Sequence, residues 1–151
     1  MQFGNLPDGG SQAGYIILLI DSEGNVAPIS WQSHKIRRIV RSTIAAETLA
    51  MSDALDAGIL IASMWKEFVG VQCETMVEGI TDCYSLYESV NSTKSLSDKR
   101  LRIEMSMLRQ MQDRNEVKLF WTETSNQLAD VLTKKGVCSL KLLRVLSSGH
   151  L

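Results

Sequence analysis

The sequence predicts an α/β domain in which a mixed sheet carries helices on both faces. Three observations lead there. Two β-forming runs separated by a turn cluster open the chain, and helical and strand periodicities alternate after them. The third is composition: 151 residues, 44% hydrophobic and 22% charged, suit one globular domain with its own core.

Asn5-Leu6-Pro7-Asp8-Gly9-Gly10 reads as a turn because Pro, Asp and Gly meet there. Gly14 to Ile20 is a continuous apolar run of β-formers, consistent with a buried strand. Asp21-Ser22-Glu23-Gly24-Asn25 is a hairpin turn, and Val26 to Ser33 returns as the second strand. Ser42 to about Phe68 is the longest helical pattern, with Ser42 or Thr43 as cap and Ile44, Met51, Leu55, Ala62 and Trp65 on its apolar side. Cys73 to Ile80 alternates as a strand, Asp82 to Val90 is a short helix, and Asn91 to Ser97 is a polar connection. Asp98 to about Arg114 is a helix whose Leu101, Met105, Leu108 and Met111 share a face. Val117 to Thr122 is a strand, Asn126 to Lys134 a short helix stopped near Gly136, and Leu140 to Leu146 a further helical segment.

The formal net charge is −1, so a nucleic-acid surface has to be a local patch. Cys73, Cys83 and Cys138 are odd in number and far apart, which argues against a disulfide framework or zinc site and for a reducing compartment. No apolar run approaches the ~20 residues of a membrane span, and MQFGNLPDGG lacks the basic head and apolar block of a signal peptide. Trp31, Trp65 and Trp121 read as core or sheet residues in preference to base-stacking platforms.

Three carboxylates stand out. Glu47 lies three or four positions from Thr43, Ile44, Ala50 and Met51, on the apolar side of its helix. A charge there needs water or a cation as partner. Asp82 ends a strand and opens a helix, a place that suits either an N-cap or a site at strand carboxyl ends. Asp130 and Asn126 are four apart and share a helix face, solvated or functional. Taken together, the acids suit two-metal phosphodiester chemistry, in which two cations about 4 Å apart activate water and stabilise the leaving oxygen.

Trp31-Gln32-Ser33-His34-Lys35, Ser42-Thr43-Ile44-Ala45-Ala46-Glu47, Thr81-Asp82 and Ala129-Asp130-Val131-Leu132-Thr133-Lys134 form W-x-S-x-K, S-T-x-A-A-E, T-D and A-D-x-L-T-K blocks. In this order they resemble the ribonuclease H domain of copia-type LTR retrotransposon polyproteins, over roughly residues 3 to 137. The resemblance implies a ribonuclease H-like fold over 1–137, with its first strand missing or stunted, and a helical tail over 138–151. It implies a catalytic and metal-binding set of Glu47, Asp82 and Asp130, with Mg²⁺ or substituting Mn²⁺ as cofactor. The family's first Asp precedes a block whose end matches Phe3, so it is expected just upstream of Met1. Its loss predicts impaired activity, on the order of 2–4 kcal/mol of transition-state stabilisation.

The implied partners are an RNA/DNA hybrid and the reverse transcriptase domain of the same polyprotein, with no membrane. The implied setting is the cytoplasm, within a virus-like particle in an intact element, or the nucleus. Candidate substrate contacts are Lys35, Arg37, Arg38 and Arg41 before the Glu47 helix, Lys94, Lys99 and Arg100 with Arg102 further on, and Asn126. Solvated connectors and ordinary helix charge pairing account for the same basic residues. Two other readings stand beside the enzyme: a non-catalytic relic that binds nucleic acid or protein, and an unrelated small α/β interaction domain.

Overall fold

Strand, strand, helix, strand, helix, helix and strand follow one another in a computed structural model, which describes residues 6, 9–70, 75–92 and 98–151. The chain is mixed α/β. Among the described residues antiparallel and parallel pairing are both present, in two two-stranded sheets and not in the one mixed sheet that the sequence predicts. The chain divides into two compact units, Met1–Ala46 with Glu123–Leu151, and Glu47–Thr122. The expected opening strand and Asn5–Gly10 turn fall largely outside the described residues, as do Cys73 and Lys94.

In the first unit β1 (Gln12–Ile20) pairs antiparallel with β2 (Val26–Lys35), from Gln12↔Lys35 to Ile20↔Val26. Register shifts between Ile17 and Leu18, opposite Ser30 and Pro28, so Ile29 is the extra residue. Pro28 has no N–H to give the ladder, and a bulge beside it keeps the remaining pairs intact. The Asp21 carboxylate builds the turn, accepting the Glu23 and Asn25 backbone N–H groups at 2.9 Å each and the Asn25 side-chain amide at 2.8 Å. Gly24, at φ 83°, completes it. Gly14–Leu19 is half-buried, less enclosed than the apolar run predicts.

The C-terminal segment is stitched to that turn. Helix α4 (Leu140–Ser148) ends at Gly149 in the left-handed region, whose carbonyl accepts the Val26 N–H at 2.8 Å. The Leu151 N–H reaches the Gly24 carbonyl at 3.1 Å, and Asn25 bridges His150. A correction concerns Asn126–Lys134, which is not an α-helix. It forms two 3-10 turns, Thr124–Asn126 and Leu128–Leu132, separated by extended Gln127. Near three residues per turn, positions four apart no longer align, so Asn126 and Asp130 share no helix face.

In the second unit β3 (Val77–Thr81) and β4 (Val117–Trp121) run parallel, Val77 beside Val117 and Thr81 beside Trp121. Helix α1 (Thr43–Val69) is entered from Ser42, whose Oγ accepts the Ala45 N–H at 3.3 Å. Its buried positions here are Thr48, Ala50, Met51, Ser52 and Leu55. Of the expected apolar side, Ala62 and Trp65 are only half-buried, and the far half exposes Leu60, Met64 and Phe68. Helix α2 (Tyr84–Asn91) buries Leu86 and Val90. Helix α3 (Lys99–Asp113) buries Leu101, Met105 and Leu108, and Asp98 caps it by accepting from Arg100 N and Leu101 N. The Gln112 side chain accepts the Leu119 N–H at 3.0 Å, covering a backbone donor of β4.

Helix α1 crosses β3 where side chains are absent. A Cβ on Gly58 would stand 3.1 Å from Val77 Cγ1. One on Gly79 would stand 2.6 Å from Leu119 Cδ2, 3.0 Å from Met51 Sδ and 3.2 Å from Leu55 Cδ2. Gly79→Ala is therefore expected to cost about 1–3 kcal/mol through overpacking, read as a lower thermal midpoint. Gly58→Ala meets one contact and gains about 1 kcal/mol of helix propensity, so its midpoint should stay close to the parent's.

The Asn25 side-chain bond, followed by backbone N–H bonds, holds the Asp21 carboxyl below its ordinary value of 3.8. The depressed folded value stabilises the hairpin above pH 3.8, and that contribution fades as pH falls through the lower folded value. Acid titration of stability should show Asp21→Asn as a flatter curve than the parent below about pH 5. Parallel curves would refute this account of the turn.

Candidate functional site

Glu47 and Asp82 lie in the second unit, at the start of its α1 segment and just past the end of β3. The crossing described above runs toward both of them. Gly58 meets Val77, and Met51 and Leu55 meet Gly79. Four helical residues advance about 6 Å and two strand residues about 6.6 Å, so the crossing carries the start of α1 toward the Thr81 end of β3. Cys83 lies just past that end. Its thiol is pushed above its ordinary value first by burial, then by the Glu47 and Asp82 carboxylates. Both acids are half-buried.

Asp82 is not the helix cap. Cys83 holds that position without a side-chain capping bond, and its carbonyl accepts the Leu86 and Tyr87 N–H groups at 3.1 Å. The junction is fixed instead by neighbours of Asp82. The Cys83 N–H donates to Thr81 Oγ1 at 3.1 Å, and the Thr122 N–H to the Thr81 carbonyl at 2.9 Å. Trp121 Nε1–H donates to the Asp82 carbonyl at 3.2 Å. The Tyr84 ring stands edge-on to Trp121 at 5.8 Å.

Asp130 lies in the first unit. It is 2% exposed, and Lys134 Nζ meets its Oδ2 at 2.6 Å. The 3-10 turn that carries it packs on β1 where Gly14 has no side chain: a Cβ there would stand 2.7 Å from Thr133 Cγ2 and 3.1 Å from Leu132 Cβ. Ser33 Oγ–H donates to the Leu132 carbonyl at 2.6 Å, so two of the sequence blocks meet in this unit. Asn126 is exposed and accepts from Lys141 Nζ.

Lys35, at the end of β2, and Arg37, Arg38 and Arg41 beyond it are exposed in the first unit, around buried Ile36. Lys99 and Arg100 are exposed at the start of α3. Lys99, Arg102, Ile103 and Ser106 line a shallow, open concavity along that helix. Trp31, expected in the core or sheet, is a sheet residue of β2 with 65% exposure.

Sequence reasoning gave no site role to Lys134, Cys83 or Trp121. Lys134 was readable from its four-residue spacing to Asp130. Trp121 carried no signal, because its bond to Asp82 depends on parallel strand register.

The donors suit hard cations: Mg²⁺ takes one or two carboxylates and keeps much of its water. Glu47 and Asp82 are the carboxylates of the second unit that could hold such an ion. Within neither unit, among the described residues, do three or more His, Cys, Asp or Glu side chains gather as a metal site. Among the described residues no helix is long and apolar enough to cross a membrane. Neither family models, nor the curated proteins, nor the solved structures contain a match to the chain.

Lys134→Met is expected to cost about 1–3 kcal/mol in chemical denaturation, because it removes a charged hydrogen bond from a buried carboxylate. Lys134→Arg should recover most of that. Equal stability of the Met variant and the parent would show that the pair contributes nothing to the fold.

Proposed function

We propose that the chain is a ribonuclease H-like domain of a copia-type LTR retrotransposon Pol polyprotein, hydrolysing RNA in RNA/DNA hybrids with Mg²⁺, or Mn²⁺ in its place. The observation that carries this reading is the placement of Glu47 at the start of α1 and of Asp82 just past the end of β3, in one compact unit. It supports the reading because two of the resembling blocks supply these acids from a helix start and a strand end, where the resemblance implies them. The tie between Ser33 and Leu132 supports it further, since it joins the W-x-S-x-K and A-D-x-L-T-K blocks.

When bound, divalent cations supply Lewis-acid stabilisation of charge on the scissile phosphate and a source of nucleophile at neutral pH. Glu47 and Asp82 provide hard oxygen donors and offset cation charge. Half-burial of both acids limits competing water and strengthens their field. Asp130 is the third acid that the resemblance implies, and within the first unit its carboxylate is held by Lys134. Lys35, Arg37, Arg38 and Arg41 bind phosphates by counterion release, and Lys99 and Arg100 serve the same role. In this reading the reverse transcriptase domain of the same polyprotein is the covalent partner, and the cytoplasmic virus-like particle or the nucleus is the setting.

A second reading has one observation in its favour. Lys134 already neutralises Asp130, as expected of a non-catalytic nucleic-acid- or protein-binding relic. Cleavage of labelled RNA in a hybrid with Mg²⁺ or Mn²⁺ separates the two, run with this chain and with a form extended upstream by a strand carrying the first Asp. The nuclease reading expects cleavage by the extended form and a loss of at least about 100-fold in Glu47→Gln and in Asp82→Asn. Hybrid binding without cleavage by either form would favour the relic. Absence of both binding and cleavage would overturn the nucleic-acid reading.

A further inference from the structure

Resting on the metal role proposed for Asp82, we infer that Trp121 is a positioning residue, whose indole N–H sets the orientation of the Asp82 carboxylate. β3 ends at Thr81 and α2 begins at Tyr84, so Asp82 sits in a two-residue junction between elements. The cap residue Cys83 makes no side-chain bond there. The backbone of Asp82 is instead gripped from the neighbouring strand: Trp121 ends β4 level with Thr81, and its Nε1–H donates to the Asp82 carbonyl at 3.2 Å. The indole is itself braced by Tyr84, edge-on at 5.8 Å and 87°, and Tyr84 by Tyr87 at 6.4 Å.

Exposure shows what this ring does. Trp121 is 44% exposed and Tyr84 57% exposed. Neither ring is a core filler, and a smaller residue would cover the ends of β3 and β4 as well. What the indole adds is a donor with fixed direction. A carboxylate that ligates a cation gains from such outer support, because a wandering ligand loses affinity even when its chemistry is intact.

Trp121→Phe keeps an aromatic ring against Tyr84 and deletes the N–H. The freed Asp82 carbonyl lies at a half-exposed residue and can turn to water, so the thermal midpoint should hold. Binding of an RNA/DNA hybrid in EDTA should hold as well. Mg²⁺ affinity should fall about tenfold, measured on the free protein from the amide signals of Glu47 and Asp82 by NMR. In the parent chain the Trp121 indole N–H signal, assigned by its loss in Trp121→Phe, should move with the same Mg²⁺ midpoint as those amides, and Asp82→Asn should abolish its movement. If Mg²⁺ moves the Glu47 and Asp82 amides with equal affinity in the parent and in Trp121→Phe, the inference fails and the metal site stands. If the amides move in the parent and the indole signal does not, the inference fails in the same way. If Mg²⁺ moves none of them in the parent, the metal reading fails and takes the inference with it.

Discussion

The crossing of α1 over β3 is the constraint on which the candidate site depends. Helix and strand approach at Gly58 and Gly79, where no Cβ keeps the backbones apart. One contact would leave the helix free to slide or swivel. Successive contacts, Gly58 with Val77 and then Leu55 and Met51 with Gly79, fix both its direction and its register. The helical step of four and the strand step of two have nearly equal length. The register therefore directs the start of α1, which carries Glu47, toward the end of β3, which precedes Asp82.

The first unit solves a similar problem with the same device. Gly14 of β1 lets the 3-10 turn Leu128–Leu132 approach the strand backbone, and Ser33 of β2 locks it by donating to Leu132. That turn buries Asp130, and burial of a carboxylate is costly without a charged partner. Lys134, one turn on, supplies the partner at 2.6 Å. In each unit an acid is positioned by a glycine in a strand and by the segment that packs on it. Asp130 has a cation supplied by its own segment, and the charges of Glu47 and Asp82 join burial in raising the Cys83 thiol above its ordinary value.

Much of this was legible in the residues. Asp21 through Asn25 declared a hairpin because an Asp carboxylate facing two backbone N–H groups, followed by Gly, has few other conformations. Leu101, Met105 and Leu108 declared their helix face, whereas the capping role of Asp98 came only from the structure. The 3-10 turns were not legible, because the spacing of Leu128, Val131 and Leu132 is common to both helix types and the break at Gln127 is a backbone choice no side chain announces. Nor was the docking of the C-terminal segment, whose ties to the hairpin turn run largely through backbone groups of Gly24, Val26, Gly149 and Leu151. At Asp82 the sequence allowed a cap or a site. The structure moved the cap to Cys83, a residue with no capping preference.

A net charge of −1 is compatible with binding a polyanion, provided the positive charges are concentrated. Screening confines each exposed charge to about 8–10 Å at physiological salt, so a strand of phosphates responds to local density and not to the total. Arg37, Arg38 and Arg41 meet that condition because they are adjacent and exposed, with buried Ile36 anchoring the stretch through its N–H to the Ser11 carbonyl at 2.8 Å. The stretch then runs directly into α1. Residues that could draw in phosphates therefore lead along the chain to the helix that carries Glu47. Carboxylates alone would repel the same phosphates. In the proposed reading the stretch holds the backbone of a polyanion by its own charge density.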